Sequence, residues 1–163
     1  MAGEEQRGGE PGSTGDEIRA LLQEQSAGVL CTLSEKLGGW PFGSLASYAV
    51  TSRGEPVFLF SRLSQHTRNI DADPRATLFV YDGLGAREDP QTGRRTALAG
   101  RVELVADAEI ADAKGRYLAR HPQAEPYFEL DFRLYRLAVE HVHFVGGFAQ
   151  AAWVPVGEVI RAG

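Results

Sequence analysis

Strand-type runs in this chain follow one another; they do not alternate with helices. Residues 28–33 are apolar, and residues 43–51 read as a second strand. Ser52-Arg53-Gly54-Glu55 has the composition of a tight turn, and Pro56-Val57-Phe58-Leu59-Phe60 is a continuous apolar run. Two β runs joined by so short a turn can only pair antiparallel, because a parallel pair needs a crossover of a dozen or more residues. No GxGxxG follows the first strand, so a dinucleotide-binding doubly wound sheet has no support. The pattern predicts a mainly β domain with short helices, built as an antiparallel barrel, closed or nearly so.

The remaining segments fit that frame. Thr14 followed by Glu17 is a capping-box pattern, and Ile18, Leu21 and Leu22 fall at helical spacing up to about residue 25. Residues 76–81 are another strand, and residues 83–93, rich in Gly, Asp, Glu and Pro, read as a mobile loop. Over residues 95–105, Thr96, Leu98, Gly100, Val102 and Leu104 share one face, and Arg95, Ala97, Ala99, Arg101 and Glu103 the other. Residues 107–120 form a helix with Asp107 as cap and Ile110, Ala113, Tyr117 and Leu118 inward, ended by His121-Pro122. Residues 133–145 are the last long strand; Gly146-Gly147 bends the chain, and residues 151–160 are a final extended piece.

A chain of 163 residues is one domain on size grounds: a disordered Gly- and Glu-rich tail at 1–12, then a single domain at 13–163. The net charge of −5 argues against a non-specific nucleic-acid binder or a binder of anionic membranes. The single Cys31 has no intrachain disulfide partner and suits a reducing compartment. Residues 1–15 carry no apolar stretch of the signal-peptide kind, and no run approaches the length of a membrane span, so a cytoplasmic location is expected.

The junction Ser61-Arg62-Leu63-Ser64-Gln65-His66-Thr67-Arg68-Asn69-Ile70 carries the strongest functional signal. It crowds hydroxyls, amides, an imidazole and two cations at a strand-to-helix junction, where free N–H groups and the positive end of the helix dipole gather. Such a junction suits a phosphate or another anion. A plain capped helix, with Ser61 or Ser64 as N-cap, needs only one of these residues. His66 would add positive charge below about pH 6.

Four stretches resemble the FMN-binding split barrels related to pyridoxamine 5′-phosphate oxidase. They are Pro41-Phe42-Gly43-Ser44-Leu45-Ala46-Ser47-Tyr48; the junction followed by Asp73-Pro74-Arg75-Ala76; Arg116-Tyr117-Leu118-Ala119-Arg120-His121-Pro122 with Asp131-Phe132-Arg133-Leu134-Tyr135-Arg136; and Gly146-Gly147-Phe148-Ala149-Gln150-Ala151-Ala152-Trp153-Val154. The resemblance is strongest to the branch with the bacterial haem-utilisation proteins, the animal cellular-repressor glycoproteins and the plant glutamyl-tRNA-reductase-binding protein. It implies an antiparallel split β-barrel of the FMN-binding type. It also implies a homodimer with FMN at the subunit interface, and a flavin-dependent oxidoreductase acting on a small molecule. The phosphate would be held by Ser44, Tyr48, Ser61, Arg62, Gln65, His66, Thr67 and Asn69, with Arg68 as the alternative cation and Tyr48 along the ribityl chain. The chain departs from that pattern at Gln65 and His66, where basic residues are usual, and at Ala149, where Gly is usual.

Other residues support competing readings. His141 and His143 lie two apart on a strand, so both point to one face and could contact a metal or haem, with Glu140 on the opposite face. Arg95 and Arg101 could reach a flavin, and Phe148 and Trp153 could flank its ring. The alternatives to an FMN oxidoreductase are therefore a haem-binding or haem-degrading protein, a non-catalytic flavin-binding regulator, and a deazaflavin protein. No Ser-His-Asp set or carboxylate pair points to hydrolysis.

Overall fold

The computed structural model describes residues 12–83, 88–147 and 150–162. The tail expected at 1–12 lies outside the described residues apart from Gly12, as do Phe148 and Ala149 and the centre of the expected loop at 83–93.

The chain forms one eight-stranded antiparallel sheet. Its strands are β1 (Ala27–Leu33), β2 (Pro41–Ser47), β3 (Ala49–Val50), β4 (Pro56–Ser61), β5 (Arg75–Tyr81), β6 (Arg95–Leu104), β7 (Phe132–Val145) and β8 (Ala151–Val154). They run in the order β2-β1-β5-β6-β7-β4-β3. Along one edge, β7 pairs first with β4 (Val57↔Arg136) and further on with β8 (His143↔Trp153). The sheet therefore curls into a half-barrel. The helices are α1 (Thr14–Glu24), α2 (Gln65–Ala72), α3 (Ile110–Arg120) and the short α4 (Val156–Val159).

Two cores explain the hydrophobic pattern. Leu30, Leu78, Leu98, Leu137, Val142 and Phe58 fill the barrel together with Ile18, Leu21 and Leu22 of α1. Val57, Leu59 and Leu134 turn the other way and pack under Ala113 and Tyr117 of α3. Strand β4 is thus buried on both faces, which is why residues 56–60 are apolar without alternation. Each fully buried Leu or Phe contributes about 1.5–3 kcal/mol. Val50 and Pro56 pair across the turn at Ser52–Glu55, where Gly54 takes φ 98°, so the predicted hairpin is present.

The structure corrects five local expectations. The capping box sits one residue earlier than predicted: Ser13 Oγ accepts from the Asp16 N–H at 3.2 Å, and Asp16 Oδ2 accepts from the Ser13 N–H at 3.0 Å. Residues 43–51 form two strands, broken at Tyr48. A 3-10 turn at Asp107–Glu109 precedes α3, whose Ile110 is exposed, as is Leu104 of β6. Only the first part of residues 151–160 is a strand; Val156–Val159 is helical. Finally, β7 contains a bulge: Ala99 pairs with His141 and Gly100 with Val139, leaving Glu140 without a residue opposite it on β6. A Cβ on Gly100 would lie 2.0 Å from the Ala138 carbonyl oxygen, so only glycine lets the strands approach there.

Candidate functional site

The junction folds as predicted, with strand β4 running into α2, but its polar groups bind one another. Ser64 occupies the N-cap position without capping the helix. Its Oγ donates to the Ser61 carbonyl at 2.9 Å and lies 2.9 Å from His66 Nε2 and 2.7 Å from Thr67 Oγ1. Thr67, 1% exposed, donates to the same Ser61 carbonyl at 2.7 Å. Asn69 is 0% exposed; it donates to Thr32 Oγ1 and accepts from Gln65 Nε2 and from the Glu35 N–H. It ties α2 to β1. Ser61 Oγ donates to Asp131 Oδ2 at 2.8 Å, so an anion of the chain itself already sits on the junction.

The predicted site residues therefore divide. Tyr48, Thr67 and Asn69 do not present their side chains to a ligand. Tyr48 is 1% exposed, and its hydroxyl, pushed up in pKa by burial, donates to the Leu22 carbonyl at 3.0 Å. Gln65 is half-buried and bound to Asn69. Ser44, half-buried, pairs with Leu30 on β1. Arg62 and Arg68 are exposed and, among the described residues, make no ion pair. Ser61 and His66 line a cleft of about 350 Å³ between the ends of β2 and β4 and the segment after α3. His66 packs on Phe60 with ring centroids 4.3 Å apart, and burial lowers its pKa, which disfavours the positive charge expected of it.

Sequence reasoning missed the rest of that cleft. Ser47, Tyr117, His121, Gln123, Tyr127 and Phe132 line it too. His121 ends α3 as expected, and its Nε2 lies 2.8 Å from the Tyr48 carbonyl. A carbonyl can only accept, so Nε2 carries the proton. Only the tertiary pairing of β4 with β7 brings Phe132 beside Ser61.

The outer face of the sheet has a second arrangement, laid out in rows by the strand register. Gly43, Cys31, Thr77, Ala99 and His141 stand opposite one another across β2, β1, β5, β6 and β7. This row of small residues ends in a histidine. The next row is Leu45, Val29, Phe79, Ala97, His143 and Trp153. On the far side Arg75 stands opposite Arg101. Small residues flanked by larger ones make a trough of about 380 Å³, lined by Cys31, Pro41, Arg75, Thr77, Ala99 and His141. His143 meets Trp153 edge-on at 5.0 Å, and Trp153 is 74% exposed. The bulge corrects the expected position of Glu140. It faces outward with the histidines, 3.2 Å from Arg101 Nε. Asp73 binds Arg75 through Nε and Nη2, which pulls the Asp73 carboxyl down to about 2. Arg95 donates to the Gln91 and Gly93 carbonyls, so the expected reach toward a flavin is replaced by a loop contact. Among the described residues no group of three or more His, Cys, Asp and Glu could hold a bare metal ion. No helix among them is long and apolar enough to cross a membrane.

A half-barrel with hairpin-linked antiparallel strands, a helix at the β4–β5 connection and a clefted junction defines the split-barrel class, and solved structures agree. The heme binding protein from Mycobacterium smegmatis superposes with a TM-score of 0.85 at 29% identity, covering 93% of this chain and 61% of that one. A protein of the pyridoxinephosphate oxidase family from Clostridium acetobutylicum shares the fold alone, with a TM-score of 0.67 at 11% identity over 89% of this chain and 96% of that one. Residues 15–160 match the model of the CREG β-barrel family, and the chain belongs to that family. Its curated relatives include the chloroplastic heme oxygenase HOZ of Arabidopsis thaliana, 34% identical over 83% of this chain and 41% of that protein. Protein CREG2 of Mus musculus is 27% identical over 88% of this chain and 55% of that protein. The chain thus spans about half the length of the curated relatives it matches.

Proposed function

We propose that this protein binds haem on the outer face of its sheet. The observation that carries the reading is the trough of small residues ending in His141, with Arg75 and Glu140 in its wall and Arg101 beside Arg75 and paired with Glu140. A haem needs three things: a flat surface for its macrocycle, an imidazole for its iron and cations for its propionates. Gly43, Cys31, Thr77 and Ala99 leave room above the strands, and His141 lies at the end of their row. Arg75 keeps its Nη1 donors beyond the bond to Asp73, because a guanidinium has five N–H groups. The haem-named relatives support the same reading. When bound, haem would supply its own iron redox chemistry; the residues of this chain would hold and orient it.

A trough on an open sheet leaves one face of such a ligand bare. Val29, Leu45, Phe79 and Trp153 are exposed on the same surface. A second copy of the chain is the cover we propose, making the protein a homodimer around its cofactor. A flavin-dependent oxidoreductase, the expectation from the sequence, has the fold in its favour. The internal bonding of the junction does not favour it.

Titrating haemin into the purified protein tests the proposal. A shifted and sharpened Soret band with saturable binding is expected, and His141→Ala should weaken binding by about tenfold or more if its imidazole holds the iron. His143→Ala should cost less. An absent spectral change in the unmutated protein would overturn the reading. Light scattering with and without haemin reports the dimer.

A further inference from the structure

The fold implies an FMN phosphate at the β4–α2 junction, and the residues present do not fit one. Three hydroxyls that would ring it, those of Ser61, Ser64 and Thr67, are bonded to Asp131 or to the Ser61 carbonyl. Asp131 adds a negative charge where the phosphate's charge would fall. The cleft behind it has a different chemistry. Its 350 Å³ are walled by rings: Phe60 against His66, Tyr117 against His121 at 4.8 Å, and Tyr127 stacked on Phe132 at 4.9 Å and 15°. No carboxylate, lysine or arginine is among the lining residues. The Ser47 and Tyr127 hydroxyls and the Gln123 amide make no hydrogen bond among the described residues, and the His121 proton on Nε2 leaves Nδ1 an acceptor. Aromatic walls with a few unengaged polar atoms, in a volume at the low end for ligand pockets, suit a small flat molecule.

We infer that this cleft takes a planar, uncharged heteroaromatic molecule and that Asp131 rejects its phosphate ester. Apolar rings stack between the aromatic pairs, and the serine, glutamine and histidine atoms meet the ring's heteroatoms. A phosphate at the mouth meets the Asp131 carboxylate, and the junction hydroxyls that could donate to it are already engaged, so it adds repulsion. This discrimination is independent of the haem reading, because cleft and trough share no lining residue.

Riboflavin and FMN differ by that phosphate alone. Each is titrated into the full chain while quenching of flavin fluorescence is followed. Riboflavin should bind, with FMN weaker by about tenfold or more, and the gap should shrink as salt is raised. Asp131→Asn should bring FMN to within about threefold of riboflavin and leave riboflavin unchanged. Asp131 is exposed, so the variant should keep its fold, which thermal melting checks. His141→Ala should leave both titrations as they were, which separates this inference from the haem proposal. FMN binding as tight as riboflavin, no riboflavin quenching, or an unchanged ratio in Asp131→Asn would each overturn it.

Discussion

The strand–helix junction and the outer sheet face are both candidate binding surfaces, yet the fold treats their polar side chains in opposite ways. At the junction, serine, threonine, glutamine and asparagine side chains bond to one another, to backbone and to Thr32 of β1. On the outer face, the His141 and His143 rings make no hydrogen bond among the described residues, and the positions in the His141 row are small. Polar composition marked the first region; available valence marks the second. Satisfied buried donors stabilise a fold, whereas exposed and unengaged ones are free to bind.

That contrast predicts which substitutions break folding and which break binding. The largest effect should come from Gly100→Ala. The added methyl meets backbone at 2.0 Å, so the β6–β7 pairing must shift. A loss of about 3 kcal/mol or more is expected in urea unfolding. Because the bulge beside Gly100 sets where His141 stands, haem binding should fall with it. Full stability in this variant would mean that the bulge is not fixed by close packing.

Asn69→Leu should cost about 2–3 kcal/mol, because it removes a donor to the buried Thr32 hydroxyl and the acceptor of the Glu35 N–H together. At the haem titration the same variant should behave as the unmutated chain. His141→Ala should give the mirror image: stability within about 0.5 kcal/mol, as for exposed positions, and weakened haem. If Asn69→Leu instead lost a ligand and kept its melting temperature, the junction would be a binding site after all.

How far these regions were legible in the sequence follows from the range of the interactions. Alternation along residues 95–103 put Leu98 and Val102 inside and Ala99 and Arg101 outside, as the strand does. The turn at Ser52–Glu55 was readable because its chemistry is local. The row from Gly43 to His141 was not, because it exists only once five strands are in register. The Glu140 bulge hid for the same reason: one unpaired residue flips a side chain to the other face without changing the pattern of residue types. At the junction, sequence located the polar cluster correctly and could not say that Asp131, seventy residues on from Ser61, would take its hydroxyl.

The smallest expected effect concerns His66 and pH. Its ring is half-buried against Phe60, and burial holds its pKa below the usual 6.5. The unfolded chain, with the ordinary value, therefore takes up a proton first as pH falls. Stability rises with pH wherever the unfolded state binds more protons. The contribution from His66 is thus complete above its unfolded pKa and declines as pH drops through 6.5 toward the folded value. Other groups also titrate there, so the measurement is a difference. Melting temperatures of the unmutated chain and of His66→Gln are compared at about pH 7.5 and pH 5.5. The unmutated chain should lose more between the two conditions than the variant. An equal loss would mean that the ring is solvated when protonated, and a smaller loss would mean that an anion, Asp131 foremost, stabilises the imidazolium. That last outcome would show the field at the junction to be negative, set by the Asp131 carboxylate on Ser61, and would count further against an anion where the hydroxyls converge.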